Sequence, residues 1–270
     1  MPERLALPPV ILVTGTGTGV GKTVATAGLL VALRADGRRV AVVKPAQTGI
    51  TADEPSDLDE VCRSAGLRAS VEPDVVLGAD VRVPTGVPTQ LTTRAGQDAG
   101  ATAYEGVRLR DPLAPSAAAR REGRTIPTVT DHATVVAELA TAHDVVLVEG
   151  AGGLLVELDG AGRTLADLGL AVRRHGVEVG VVLVVAAGLG TLNHTVLTAE
   201  ALDRRGLDLL GLVVGAWPAH PAQPDLAMTE NLLDLPRVTG APVLGVLPDG
   251  AGALDPEAFA RGIPEWLSLR

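Results

Sequence analysis

A short apolar run, Val10–Val13, leads directly into Thr14-Gly15-Thr16-Gly17-Thr18-Gly19-Val20-Gly21-Lys22-Thr23, and a helical pattern follows. Glycines let successive backbone N–H groups curl around an anion without Cβ interference, and the first turn of a helix adds partial positive charge. Gly-Lys-Thr at a strand–helix junction therefore predicts a phosphate-binding loop. The backbone of Gly19, Val20, Gly21, Lys22, Thr23 and Val24 would cradle the phosphates. Lys22 would reach the β- and γ-phosphates, and the Thr23 hydroxyl would ligate Mg²⁺. One glycine is displaced: Thr16 stands where the usual spacing has glycine, and Gly15 falls one residue early.

Three more groups sit at the ends of strand-like runs: Lys44-Pro45-Ala46-Gln47-Thr48-Gly49, Ser56-Asp57, and Glu149-Gly150-Ala151-Gly152-Gly153. Ligands of open parallel sheets gather at the carboxyl ends of strands, so these residues are expected to face the phosphate loop. Singly, each is weak. A lysine ending a strand is most often a solvated charge, Glu-Gly is a common strand exit, and acidic segments such as Asp53–Glu60 are usually just solvated.

The elements that must position these groups alternate along the chain. Val10–Val13, Val40–Val43, Val145–Val148, Val181–Val185, Leu212–Val214 and Val243–Leu247 are nearly all apolar. Strands apolar on both faces belong in a parallel sheet covered by helices on both sides. Amphipathic stretches lie between them at Thr23–Ala35, Asp131–Ala142 and Asn193–Arg205, and Thr164 with Asp167 forms a capping-box signature ahead of a helix running toward Arg174. The expectation is a doubly wound α/β fold of the P-loop type, mostly parallel, as a single domain over residues 1–270. The stretch from about Gly78 to Arg110, rich in Gly, Thr, Pro and Arg, shows no period. It reads as a partly mobile loop excursion from the sheet, without assigned chemistry.

Composition narrows the function classes. The net charge is −9 and the basic residues form no run, which argues against a nucleic-acid surface. Cys62 is the lone cysteine, which rules out an intrachain disulfide, fits a reducing cytoplasm and suggests a core residue. Met1–Pro9 lacks the apolar stretch of a signal peptide. Val179–Ala199 carries no charge over 21 residues, but Gly188, Gly190, Asn193 and His194 interrupt it. It reads as strand, turn and helix rather than a bilayer span, which needs ~20 apolar residues. The histidines His132, His143, His175, His194 and His220 show no metal-ligand spacing, and Trp217 and Trp266 read as packing residues.

In order and spacing, the motifs together resemble the dethiobiotin synthetase family. That family's phosphate loop, Gly-Thr-x-Thr-x-Val-Gly-Lys-Thr, matches Gly15 to Thr23 and accounts for the displaced glycine. Its Lys-Pro-x-x-[Ser/Thr]-Gly is similar to Lys44–Gly49, its Ser-Asp to Ser56-Asp57, and its Val-Glu-Gly-Ala-Gly-Gly to Val148–Gly153. Leu189-Gly190-Thr191-Leu192-Asn193-His194 and Leu247-Pro248 have counterparts as well. The resemblance spans roughly Val10–Cys62 and Leu113–Pro248.

It implies ATP- and Mg²⁺-dependent closure of a ureido ring from 7,8-diaminopelargonate and CO₂ by a homodimer. Lys22, Lys44 and Thr18 would be catalytic, Thr48 and Lys44 would meet the substrate, and Thr23, Asp57 and Glu149 would hold the metal. Gly150, Ala151 and Gly152 would contact the nucleotide. Gly215, Ala216, Pro248, Asp249 and Gly250 would contact its base. Here the chain departs from the pattern: better-known members carry Asn-Asp where this one has Gly215-Ala216-Trp217, so relaxed base selectivity is expected.

Two rivals were weighed. A partition-type regulatory ATPase carries a signature lysine where this chain has Gly17. An amide-forming synthetase fed by a glutaminase would need a further domain after Pro248.

Overall fold

The protein is described by a computed structural model covering residues 7–51, 54–69, 83–219 and 222–269. Each of the six apolar runs forms a strand: β1 (Val10–Gly15), β2 (Val40–Lys44), β6 (Val145–Gly153), β7 (Val179–Ala186), β8 (Asp208–Trp217) and β9 (Val243–Pro248). Three further strands, β3 (Leu67–Ala69), β4 (Thr89–Thr93) and β5 (Asp98–Glu105), complete one nine-stranded sheet in the order β3-β4-β5-β2-β6-β1-β7-β8-β9. All neighbours from β5 to β9 in that order run parallel, whereas β3–β4 and β4–β5 are antiparallel.

The placement of β4 and β5 corrects the expected loop excursion. Residues 89–93 and 98–105 are sheet, and β5 lies in register against β2, Val40 opposite Ala101 and Lys44 opposite Glu105. Residues 78–82 of that stretch lie outside the described ones.

The helices are α1 (Lys22–Ala35), α2 (Asp57–Ser64), α3 (Pro115–Glu122), α4 (Val129–Ala142), α5 (Leu165–Arg174), α6 (Thr191–Asp203), α7 (Leu226–Thr239) and α8 (Pro256–Trp266). Side-chain alternation divides β1 between two cores. Ile11 and Val13 pack with Leu29, Leu30, Leu33, Phe259 and Ile263 of α1 and α8, while Val10 and Leu12 pack with Val136, Leu165 and Leu168 of α4 and α5. Each fully buried aliphatic contributes about 1.5–3 kcal/mol. A sheet apolar on both faces therefore requires both helical layers, as the runs imply. Trp266 packs edge-on against Phe259, and Trp217 joins the core between α7 and the sheet.

Local signals explain the helix ends. Thr164 caps α5 and Asp167 reaches back to the Thr164 backbone, the box expected from the sequence. The same box recurs at Ser56/Asp59 for α2 and Thr128/Asp131 for α4. The uncharged stretch after Val179 is β7, a turn and the start of α6, and no described helix is long and apolar enough to cross a membrane. Cys62 is buried in α2, where burial pushes its thiol pKa up.

Candidate active site

Strand β1 lies between β6 and β7, so the loop that leaves it opens at the centre of the sheet's carboxyl edge. The loop's shape depends on two glycines. A Cβ at Gly15 would stand 2.6 Å from Val20 Cγ2, which explains the displaced glycine. Gly21, at the N-cap of α1, has φ +95°, a left-handed conformation that glycine adopts without steric cost. No side chain caps α1, so its first N–H groups remain available to an anion.

Lys22 folds back over the loop, its Nζ donating to the Gly17 carbonyl at 2.7 Å. Lys44, at the end of β2, is 3% exposed. Its Nζ donates to Asp57 Oδ2 at 2.5 Å, Glu149 Oε1 at 2.7 Å and the Gly150 carbonyl at 3.3 Å. Thr23 Oγ1 donates to the same Glu149 Oε1 at 3.1 Å. Four residues from β2, β6 and the starts of α1 and α2 thus form one connected cluster. Lys22 and Lys44 are the only lysines in the sequence.

The two ammonium groups respond differently to this setting. Burial lowers the Lys22 pKa and the Lys44 charge lowers it further, against the smaller pull of Glu149 and Asp57. Burial also works against charge on Lys44, but Glu149 and Asp57 outweigh it and its pKa is raised. Glu149 and Asp57 thus favour the charged form of Lys44, which links the two carboxylates, whereas the Lys22 ammonium bonds one backbone carbonyl.

Around the cluster opens a cleft of about 690 Å³. Of the residues expected there, Thr18, Gly19, Gly21, Lys22, Thr23, Val24, Lys44, Thr48, Asp57, Ala151 and Gly152 line it. Glu149 and Gly150 lie at its floor through their bonds to Lys44. Thr18 faces Gly152, whose missing Cβ would be 3.7 Å from Thr18 Oγ1.

Expected base contacts stand apart from this cleft lining. Gly215 and Ala216 immediately precede Trp217, the last residue of β8, while Pro248 ends β9 and Asp249 and Gly250 follow it. The Asp249 N–H donates to the Trp217 carbonyl at 2.6 Å, which ties the two strand ends together. Gly215 backs directly onto the phosphate loop: a Cβ there would lie 2.0 Å from the Val20 carbonyl oxygen. Ala216 is the one described non-glycine residue with positive φ, at +53°.

One wall of the cleft was missed in the sequence. Pro112, Leu113, Ala114, Pro115 and Val156 supply an apolar side of the cleft, in contact with Gly49 at Pro112. Gly49, with φ +77°, turns so tightly onto Pro112 that a Cβ would lie 3.2 Å from the Pro112 side chain. Pro115 at the first turn of α3 is a helix-start signal that could have marked this wall. Among the histidines, His132 is buried with its pKa lowered by desolvation to about 4, and His143 bonds the Thr102 hydroxyl at 2.9 Å. His220 lies outside the described residues. Asn193 and His194 are exposed on α6.

Among the described residues, no three or more of His, Cys, Asp and Glu gather as a metal-binding group. Two carboxylates and one hydroxyl do converge, and that hard-oxygen set suits Mg²⁺, which usually takes one or two carboxylates plus phosphate oxygens and waters.

The chain is similar to known proteins over most of its length. Residues 10–256 match the AAA_26 family model, described as an AAA domain. The ATP-dependent dethiobiotin synthetase BioD of Streptomyces coelicolor is 48% identical, covering 96% of this chain and 92% of its own. The BioD of Rhodococcus erythropolis is 42% identical, covering 93% of each. Among solved structures, the cell division ATPase MinD of Pyrococcus furiosus superposes with a TM-score of 0.53 at 22% identity, over 96% of this chain and 98% of its own. That likeness concerns the doubly wound fold alone. The regulatory-ATPase alternative shares this fold with the chain, but the sequence relatives and the Lys44-centred motifs lie elsewhere: the chain belongs to the dethiobiotin synthetase family.

Proposed function

We propose that this protein is an ATP-dependent cyclo-ligase of biotin biosynthesis, converting 7,8-diaminopelargonate, CO₂ and ATP to dethiobiotin, ADP and phosphate. The observation that carries this reading is the Thr23–Glu149–Lys44–Asp57 cluster, centred on the buried Lys44–Glu149 pair at the foot of the phosphate loop, in a chain 48% identical to a BioD enzyme.

One amine of the substrate takes up CO₂ as a carbamate. A carbamate oxygen attacks the γ-phosphorus and ADP leaves. The second amine then attacks the carbamoyl carbon, the C–O bond to phosphate breaks, and the ureido ring closes with release of phosphate. Each stage gathers negative charge between the loop and β2. Lys22 and Lys44 offset it, and pre-oriented charges of this kind are typically worth several kcal/mol in the transition state. Thr18 and Thr48 hold the carbamate or the free amine, and the Pro112–Pro115 wall accommodates the alkyl chain. Thr23, Asp57 and Glu149 are the residues suited to hold Mg²⁺, which would neutralise the β- and γ-phosphate oxygens. Amides of Gly19 to Val24 and of Gly150 to Gly152 receive the phosphates, while backbone at Gly215, Ala216 and Pro248–Gly250 receives the base.

A homodimer working in the cytoplasm, without nucleic-acid or membrane partners, completes the proposal. The family resemblance supports the dimer, and the acidic balance and lone Cys62 support the rest. The test is direct: protein incubated with diaminopelargonate, bicarbonate, Mg²⁺ and ATP should yield dethiobiotin by mass spectrometry. No product with any nucleoside triphosphate would overturn the assignment.

A further inference from the structure

Asp57, whose side chain is 39% exposed, opens the eight-residue α2. Two holds fix the start of that helix. The first is Gln47, whose Oε1 accepts from the Asp57 N–H at 3.0 Å. Gln47 is itself held by backbone bonds to Val107 and Leu109 at 2.8 and 2.9 Å.

The second hold is Arg108, the residue paired with Gln47 in an isolated parallel bridge. Its Nη2 donates to Asp59 Oδ2 at 3.2 Å, Ser56 Oγ at 3.4 Å and the Val83 carbonyl at 3.0 Å, while its Nε donates to Glu105 Oε2. Ser56 and Asp59 are the capping box that flanks Asp57: Asp59 Oδ2 also accepts from the Ser56 N–H at 2.9 Å and from its hydroxyl at 3.2 Å. Arg108 thus closes the box from outside without touching Asp57. Glu105 behind it is fully buried, and its Oε1 has no partner. Burying a carboxylate with an idle oxygen is costly, so its retention calls for a purpose, and the bond it makes aims the guanidinium.

We infer that Arg108, aimed by Glu105, is a positioning residue that sets the Asp57 carboxylate against Lys44 and the metal side of the cleft. The inference rests on the proposed role of Asp57 at Mg²⁺. It also gives the end of β5 and the segment after it a task in the chemistry, through α2 rather than by contact with substrate.

The plain alternative is a brace that only holds the β4–β5 hairpin to α2. Hydrogen exchange on the ligand-free chain locates the change, and the Mg²⁺ dependence, which a brace would leave unmoved, separates the two. In Arg108→Ala, amides 58–61 should exchange about tenfold faster, the scale of one lost charge-assisted bond, while phosphate-loop amides stay unchanged. The Mg²⁺ concentration for half-maximal turnover should rise by about the same factor, with KM for the diamine unchanged. Arg108→Lys should recover part of the effect, since an ammonium keeps the charge but not the fork. Glu105→Gln, which preserves volume and an acceptor, should show the same pattern if Arg108→Ala fails to fold. A lower Tm with wild-type exchange at 58–61 and wild-type Mg²⁺ dependence would overturn the inference in favour of the brace. Asp57→Asn, measured alongside, separates the two failures. An unchanged Mg²⁺ dependence there overturns the metal assignment and this inference together. A raised one there, with none in Arg108→Ala, overturns this inference alone.

Discussion

The two ends of the nucleotide site are built from different materials. At the phosphate end stand two lysines and two carboxylates, both carboxylates bonded to Lys44 at 2.5 and 2.7 Å. At the proposed base end, where β8 and β9 finish, lie Gly215, buried against the phosphate loop, Ala216, Pro248 and Gly250, with Asp249 turned to its neighbour's N–H. Charge transfer demands side chains that bring charge, and buried charges persist only when paired. Holding a planar base needs only shape and backbone groups. The contrast suggests a site demanding about phosphate and permissive about the base.

The largest effect should come from the phosphate end. Lys22→Ala and Lys44→Ala should each leave a folded protein slower by at least about 10²-fold, since each removes a charge aimed at the transferring group. Near-normal kcat in either variant would take that lysine out of the chemistry. Next comes Gly215→Ala, where the contrast could break, because the base end here touches the loop itself. With 2.0 Å between the new Cβ and the Val20 carbonyl, the loop must move. The expected loss is about 1–3 kcal/mol of stability, together with weaker nucleotide binding. A variant with wild-type Tm and nucleotide affinity would show that the loop yields freely.

The third effect is smaller and sharpens the comparison. CTP, GTP and UTP should support turnover within about an order of magnitude of ATP, because Gly215 and Ala216 offer no side-chain amide to read the base edge. A hundredfold preference for ATP in kcat/KM would reveal a reader elsewhere in the chain. The smallest is a matter of pH. Lys22 binds phosphate only as the cation, and burial with Lys44 nearby lowers its pKa below 10.5. Nucleotide affinity should therefore weaken as pH rises toward that value, while Lys44, shifted the other way, stays charged. Affinity flat up to pH 10.5 would remove Lys22 from the phosphate.

What could be read in advance follows the same physics. Val and Leu runs declared the parallel core because both faces of each strand are buried, and the phosphate loop declared itself through glycine and lysine at fixed spacing. Strands β4 and β5 did not. Their buried positions are filled largely by Thr and Ala, which offer little apolar contrast. Helix α2 was hidden for another reason: its acidic first turn looked like a solvated face, although Ser56 and Asp59 carried the same box recognised at Thr164 and Asp167. The Arg108 contact to Asp59 spans 49 residues and no local pattern reports it. The cleft wall at Pro112–Pro115 was announced by its prolines and was overlooked because prolines bring no chemistry of their own.

Confining both lysines to the cleft has a consequence for anyone handling the protein. The surface carries its positive charge as guanidinium, so a reagent selective for side-chain amines finds targets only inside the site, both at least nine-tenths buried. Isotopic dimethylation, which keeps the positive charge, would therefore place at most two side-chain reporters in the molecule beside the α-amine, each a spectroscopic window on phosphate binding. For the same reason, lysine-directed coupling or crosslinking chosen to spare the active site would find no other side chain to react with.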